Sequence, residues 1–125
     1  MLPARHRLRT AADFSATLRG AGTARSGGRL LVVAGRYALA PADGPARVGF
    51  VVSKAVGGAV IRNRTKRVLR HLVAARLDRI PLGCDLVVRA TPAAAEASTT
   101  ELAAELDRAL DTVLRRMETQ AGVPS

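Results

Sequence analysis

Apolar residues recur along this chain with two periods. From Val60 to about Arg79 they fall at Ile61, Val68, Leu69, Leu72, Val73 and Leu77, with Ile80 just beyond, the broad stripe of a helix with one buried face. A second helical stripe, Leu102, Leu106, Leu110, Val113, Leu114 and Met117, follows Ser98-Thr99-Thr100-Glu101, a full capping box. These patterns predict a helix over about 58–79 and a C-terminal helix over about 99–118. A shorter helix is predicted to start at Thr10-Ala11-Ala12-Asp13, where the Thr hydroxyl can accept a free first-turn N–H. Gly20-Ala21-Gly22 should stop it.

Strand patterns fill the gaps. Residues 29–33 and 47–53 read as two strands, and Pro41-Ala42-Asp43-Gly44-Pro45 as the loop of a hairpin joining them. A weaker strand is expected around residues 22–26. Residues 85–89 are nearly all apolar, as in a strand buried on both faces. Pro81-Leu82-Gly83 separates that strand from the long helix, and Pro92-Ala93-Ala94-Ala95 connects it to the last one. The order α-β-β-β-α-β-α predicts an α/β fold, specifically an α+β two-layer sandwich of three helices and a small, mostly four-stranded sheet. With no repeat or long linker, residues 1–125 read as one domain.

Composition narrows the class. Hydrophobic residues make up 48%, but 24 of them are Ala, so the core must come mainly from Leu and Val. No run approaches the ~18 apolar residues of a membrane span, and no membrane partner is expected. A single Cys excludes an internal disulfide framework and suits a reducing compartment. Residues 1–10 lack the apolar stretch of a secretory signal, so a cytoplasmic location is expected. The acid-free run MLPARHRLR leaves an organelle transit peptide open.

Charge is regional. Residues 1–80 carry 16 basic and 3 acidic residues, whereas residues 81–125 carry 4 and 7. A GC-rich genome would explain 18 Arg against 2 Lys, but not the missing acids. Such a basic surface attracts polyanions, nucleic acid or acidic lipid. Its centre is the predicted long helix. Arg62, Lys66 and Arg70 stack at i, i+4 and i+8, with Asn63 and Arg67 beside them and no acid interleaved. Like charges at that spacing repel, so a polyanion must supply the counter-charge or the stripe is only a solvated face. Arg forks match phosphate oxygens, and the Asn63 amide both donates and accepts. Gly57 and Gly58 fit either a phosphate-holding helix start or a tight strand-to-helix turn.

Arg47-Val48-Gly49-Phe50-Val51-Val52-Ser53-Lys54, then Gly57-Gly58-Ala59-Val60, then Arg62-Asn63-Arg64-Thr65-Lys66-Arg67, closely resembles the signature of the bacterial ribonuclease P protein component. The resemblance extends to Arg7-Leu8, Asp13-Phe14 and the strand at residues 85–88. It implies the two-layer fold of that family, shared with one domain of a small-subunit ribosomal protein, with a left-handed crossover through the basic helix. It also implies a function. Such proteins bind ribonuclease P RNA and precursor tRNA and assist endonucleolytic removal of the 5′ leader. The RNA subunit and its Mg²⁺ perform the hydrolysis, so the protein supplies no catalytic residue and no metal ligand, and no obligate protein partner is implied. Carried over by position, Lys54, Arg62, Asn63, Arg64, Lys66, Arg67 and Arg70 become RNA contacts. A leader cleft between the sheet and the first helix would use Phe14, Leu18 and Val33. Relatives often carry aromatics at these three positions, and here only Phe14 is one. Charge should therefore outweigh base stacking in leader binding. Phe14 fits an ordinary core position equally well, and Phe50 is expected to pack inward with Val48 and Val52.

Other chemistries find little support. Asp13, Asp43, Asp78 and Asp85 lie on separate elements, and His6, His71 and Cys84 lack zinc spacing. No phosphate loop of the G-x-x-x-x-G-K-S/T type occurs. Cys84 reads as a small buried hydrophobe. The acids of the last helix, Glu101, Glu105, Asp107, Asp111 and Glu118, read as a solvated face. Two competing functions stay open: a structural RNA-binding module of ribosomal type, and a DNA binder using residues 60–79.

Overall fold

The computed structural model describes residues 2–8, 10–19, 23–37 and 44–120. Its elements are α1 (Ala11–Arg19), β1 (Ala24–Gly27), β2 (Leu31–Tyr37), β3 (Arg47–Val51), α2 (Ala59–Ala74), β4 (Cys84–Ala90) and α3 (Thr99–Gln120). Short 3₁₀ turns occupy Ala4–His6, Leu77–Arg79 and Pro92–Glu96. The expected order and fold class hold: one four-stranded mixed sheet with three helices. The glycine stop after α1 and residues 41–43 of the predicted hairpin loop lie outside the described residues.

Strand pairing departs from expectation in one respect. The sheet order is β1-β2-β4-β3, with β3 and β4 parallel and the other pairs antiparallel. The expected hairpin between residues 29–33 and 47–53 does not form, because β4 lies between β2 and β3. The reason is burial: six of the seven residues of β4 are buried, so it takes the interior place with a neighbour on each side. The hairpin of this sheet is β1–β2 instead, in register from Ala24↔Gly35 to Gly27↔Val32.

Two glycines locate the helices. Gly35 pairs with Leu86 and Gly49 with Val87, adjacent residues of β4 that point to opposite faces. A Cβ on Gly35 would lie 2.8 Å from Val113 and 2.9 Å from the Met117 sulfur, so α3 covers that face. A Cβ on Gly49 would lie 2.3 Å from the Phe14 ring, so α1 crosses the other face. The main core forms on the α3 side, from Leu31, Val33, Leu86 and Val88 against Leu106, Leu110 and Val113. Phe50 packs against it, on the same face as Val48 and Val52, as expected. Cys84 is buried there beside the Met117 sulfur at 3.9 Å, and burial pushes its thiol up to about 12.

Local signals explain the helix ends. The Thr10 hydroxyl accepts the Asp13 N–H at 3.0 Å, and Ser98 and Glu101 exchange both bonds of the capping box. Helix α2 buries Thr65, Leu69, Leu72 and Val73 but stops at Ala74, five residues earlier than its periodicity predicts. Arg76 explains the stop. Its guanidinium donates to the Leu72 carbonyl at 2.9 Å, satisfying a last-turn acceptor, and pairs with Asp107 on α3. Leu77 then continues as a 3₁₀ turn.

Candidate nucleic-acid interface

Helix α2 buries one stripe and exposes the next. Asn63, Arg64, Arg67 and Arg70 are exposed, whereas Arg62 and Lys66, two turns before Leu69 and Val73, are half-buried at the edge of the buried stripe. No ion pair among the described residues involves Lys54, Arg62, Arg64, Lys66, Arg67 or Arg70. The Arg62 Nε is buried without a hydrogen-bond partner, and Arg64 donates only to the Ala95 carbonyl, at 3.2 Å. The cations just beyond α2 behave differently. Arg76 holds Asp107 through bonds of 2.6 and 3.2 Å, and Arg79 bonds both Asp107 and Asp111. Arg76 lowers the Asp107 carboxyl below its ordinary range. Acids on α3 thus neutralise the end of the basic segment and leave its first half uncompensated.

That uncompensated half lines a concavity of about 490 Å³ formed by Asn63, Lys66, Arg67, Arg70 and His71 with Arg7. Arg7 comes from the N-terminal segment, which extends the β3 edge through a parallel bridge to Val48. Its Nε donates to the Leu2 carbonyl at 2.9 Å, which orients the side chain. Arg7 and His71 were not among the expected contacts. The Arg7-Leu8 resemblance was the available signal for the first, and the i+4 step from Arg67 for the second. Lys54 is exposed in the turn before α2. Gly57 has a φ of 157° in that turn and packs on Ile61, while a Cβ on Gly58 would meet nothing.

The predicted cleft residues separate. Phe14 is half-buried over Gly49, and Leu18 is half-buried with its carbonyl accepting two bonds from Arg25. Val33 is fully buried in the core on the α3 face, so it does not face α1. The slip is one of strand parity: Val33 pairs with Val88, whereas Val32 and Ala34 point towards α1. Helix α1 covers Ala34, Val87 and Gly49, all buried. The next row, Gly27–Val32–Arg89–Val51, crosses all four strands beside it. Val32 and Val51 are half-buried there, Arg89 is exposed, and a Cβ on Gly27 would meet nothing. Val32, Arg89 and Val51 are surface residues of this face that sequence reasoning missed, for want of the register.

An ion-pair network fixes α1 above the sheet. Asp85 is 1% exposed and accepts two bonds of 2.9 Å from Arg47, with Arg36 at 3.5 Å. Arg47 also reaches Asp13 on α1 at 3.4 Å. The hydrogen bond to Asp85 raises the Arg47 pKa above its already high value. Asp13 and Asp85, distant in sequence, thus meet at shared arginines. No group of three potential metal ligands forms among the described residues.

Among the acids of α3, Glu105 corrects another expectation, while the other four keep solvent-exposed carboxylates. Glu101 caps its own helix, Asp107 and Asp111 pair with arginines, and Glu105 is buried. The Glu105 carboxylate accepts the N–H groups of Leu30 and Leu31 and sits against Gly28. Only Glu118 of the five remains an exposed acid without a partner among the described residues. No helix in the described residues is long and apolar enough to cross a membrane.

Comparison with known proteins adds an independent line. The ribonuclease P family model matches residues 2–114. The ribonuclease P protein component of Kocuria rhizophila is 53% identical over 116 residues, 93% of this chain and 98% of the relative. That of Acidothermus cellulolyticus is 51% identical over 120 residues, covering 96% and 98%. Among solved structures, the Staphylococcus aureus RNase P protein superposes with a TM-score of 0.74 at 28% identity, over 85% of this chain and 93% of its own. The Thermotoga maritima RNase P protein gives 0.70 at 25% identity, over 89% and 97%. With its basic helix, its mixed four-stranded sheet and relatives matched along nearly their whole length, the chain belongs to the ribonuclease P protein family.

Proposed function

We propose that this chain is the protein subunit of a cytoplasmic ribonuclease P, binding the RNA subunit and the 5′ leader of precursor tRNA. The observation that carries this reading is the uncompensated cationic face of α2. It brings Lys66, Arg67 and Arg70 together with Arg7 on one concave surface, with Arg62 and Arg64 on the same helix also outside any ion pair among the described residues, while neighbouring arginines are neutralised by α3. Guanidinium forks on this surface take phosphate oxygens of folded RNA, and Asn63 adds an amide for a base edge or a 2′-hydroxyl. The single-stranded leader lies across the row Val51–Arg89–Val32 beside Phe14 and Leu18. Aliphatic contact and the Arg89 charge there replace aromatic stacking.

Hydrolysis belongs to the RNA subunit and its Mg²⁺. Asp13 and Asp85 are committed to Arg36 and Arg47, a donor set suited to ion pairing and not to a hard divalent cation. The protein neutralises phosphate repulsion and holds the substrate, which lowers the Mg²⁺ the RNA requires. Reconstitution tests this. Chain and ribonuclease P RNA together should cleave precursor tRNA at low Mg²⁺, where neither does so alone. Absence of stimulation would overturn the proposal, and equal affinity for duplex DNA and leader RNA would favour the DNA-binding alternative.

A further inference from the structure

The row that crosses the sheet has two ends with different surroundings. At the β3 end stand Lys54 and the face of α2. At the β1 end, about 14 Å away across three strand spacings, the row finishes at Gly27, where the surface is open. Around that end stands a second group of arginines, apart from α2. Arg108 on α3 lines a shallow hollow with Ser26, Gly27 and Gly28. Arg116, two turns further along α3, donates to the Arg25 carbonyl of β1. Arg25 points from β1 to the α1 side and holds the Leu18 carbonyl. Arg25, Arg108 and Arg116 are exposed, and none joins an ion pair among the described residues. The acids of α3 do not serve them: Asp107 and Asp111 turn to Arg76 and Arg79, and Glu105 turns inward to β2.

We infer that this β1-edge cluster is a second phosphate-binding surface, holding the 5′-ward part of a long leader after it has crossed the sheet. The inference rests on the reading that the leader lies along the Val51–Arg89–Val32 row. A strand following that row leaves over Gly27, where no side chain blocks its path, and on rounding the β1 edge to the α3 side meets Arg108 and Arg116. A single-stranded RNA backbone fits three separated, exposed guanidinium groups on two elements. Short leaders end over the sheet and never reach them.

The test uses holoenzyme reconstituted with ribonuclease P RNA and two precursor tRNAs, one with a short and one with a long leader. The variant is Arg108→Ala/Arg116→Ala. Long-leader affinity should fall about tenfold, and its log–log salt slope by about 0.7 for each lost contact. Short-leader affinity and affinity for the RNA subunit should not change, and Arg108→Lys should retain binding. An equal loss on both substrates, a loss of RNA-subunit affinity, or no loss at all would overturn the inference. Arg89→Ala separates the two levels. If it leaves long-leader affinity intact, the crossing path itself is wrong; if it weakens binding while the double variant does not, only the β1-edge surface is rejected.

Discussion

Arg47 on β3 grips the buried Asp85 on β4 through two bonds of 2.9 Å, and the same guanidinium reaches Asp13 on α1. One side chain thus joins the parallel strand pair to the helix across it. Asp85→Ala would strand Arg47 and the half-buried Arg36 without their shared acceptor. Breaking a buried pair from one side costs about 3–5 kcal/mol. Urea unfolding followed by circular dichroism should show a loss of that size, and a loss below ~1 kcal/mol would show that the network does not hold the fold together.

Phe14 and Gly49 set the height of α1. A methyl group at residue 49 would fall 2.3–2.4 Å from two ring carbons of Phe14, so the ring and the helix carrying it must move. Gly49→Ala should destabilise by about 1–3 kcal/mol, as overpacking does. It should also weaken precursor tRNA binding while leaving RNA-subunit affinity unchanged. Equal weakening of both would contradict the separation of the two surfaces.

Two carboxyls on α3 link stability to pH. A hydrogen bond from the Ser98 backbone lowers Glu101 from its ordinary 4.5, and a hydrogen bond from Arg76 lowers Asp107 from 3.8. Both folded-state values lie below the unfolded ones. Their contribution is therefore complete above the unfolded values and is lost as pH falls through the folded ones. Thermal unfolding between pH 7 and pH 3 should show Tm falling in that acid window. Asp107→Asn should lower Tm at neutral pH, with the difference from wild type shrinking below pH 3.8. A constant difference would show that the Arg76 contact does not stabilise the charged form.

Much of this structure was legible from local pattern. The Ser98–Glu101 box, the basic stripe of α2 and the apolar run of β4 each depend on neighbours in sequence, and each appears as read. What depended on distant partners was not. A loop between two strands suggested a hairpin, yet the burial of β4 on both faces already argued for its insertion between them. Val33 lies on the α3 face and not in the cleft, because alternation gives period without phase until a partner such as Val88 fixes the register. Glu105 read as solvated because its acceptors' donors, the Leu30 and Leu31 amides, lie more than seventy residues away. Arg89 and Val32 became visible as one surface only through strand order.

Phosphate binding by the uncompensated face of α2 underlies the proposed RNA recognition. The most direct measurement is the salt dependence of affinity for ribonuclease P RNA, comparing wild type with Arg62→Ala/Arg67→Ala. Each lost phosphate contact should lower the log–log slope by about 0.7–0.9, with weaker binding at every salt concentration. An unchanged slope would contradict the account and leave the stripe as a solvated face.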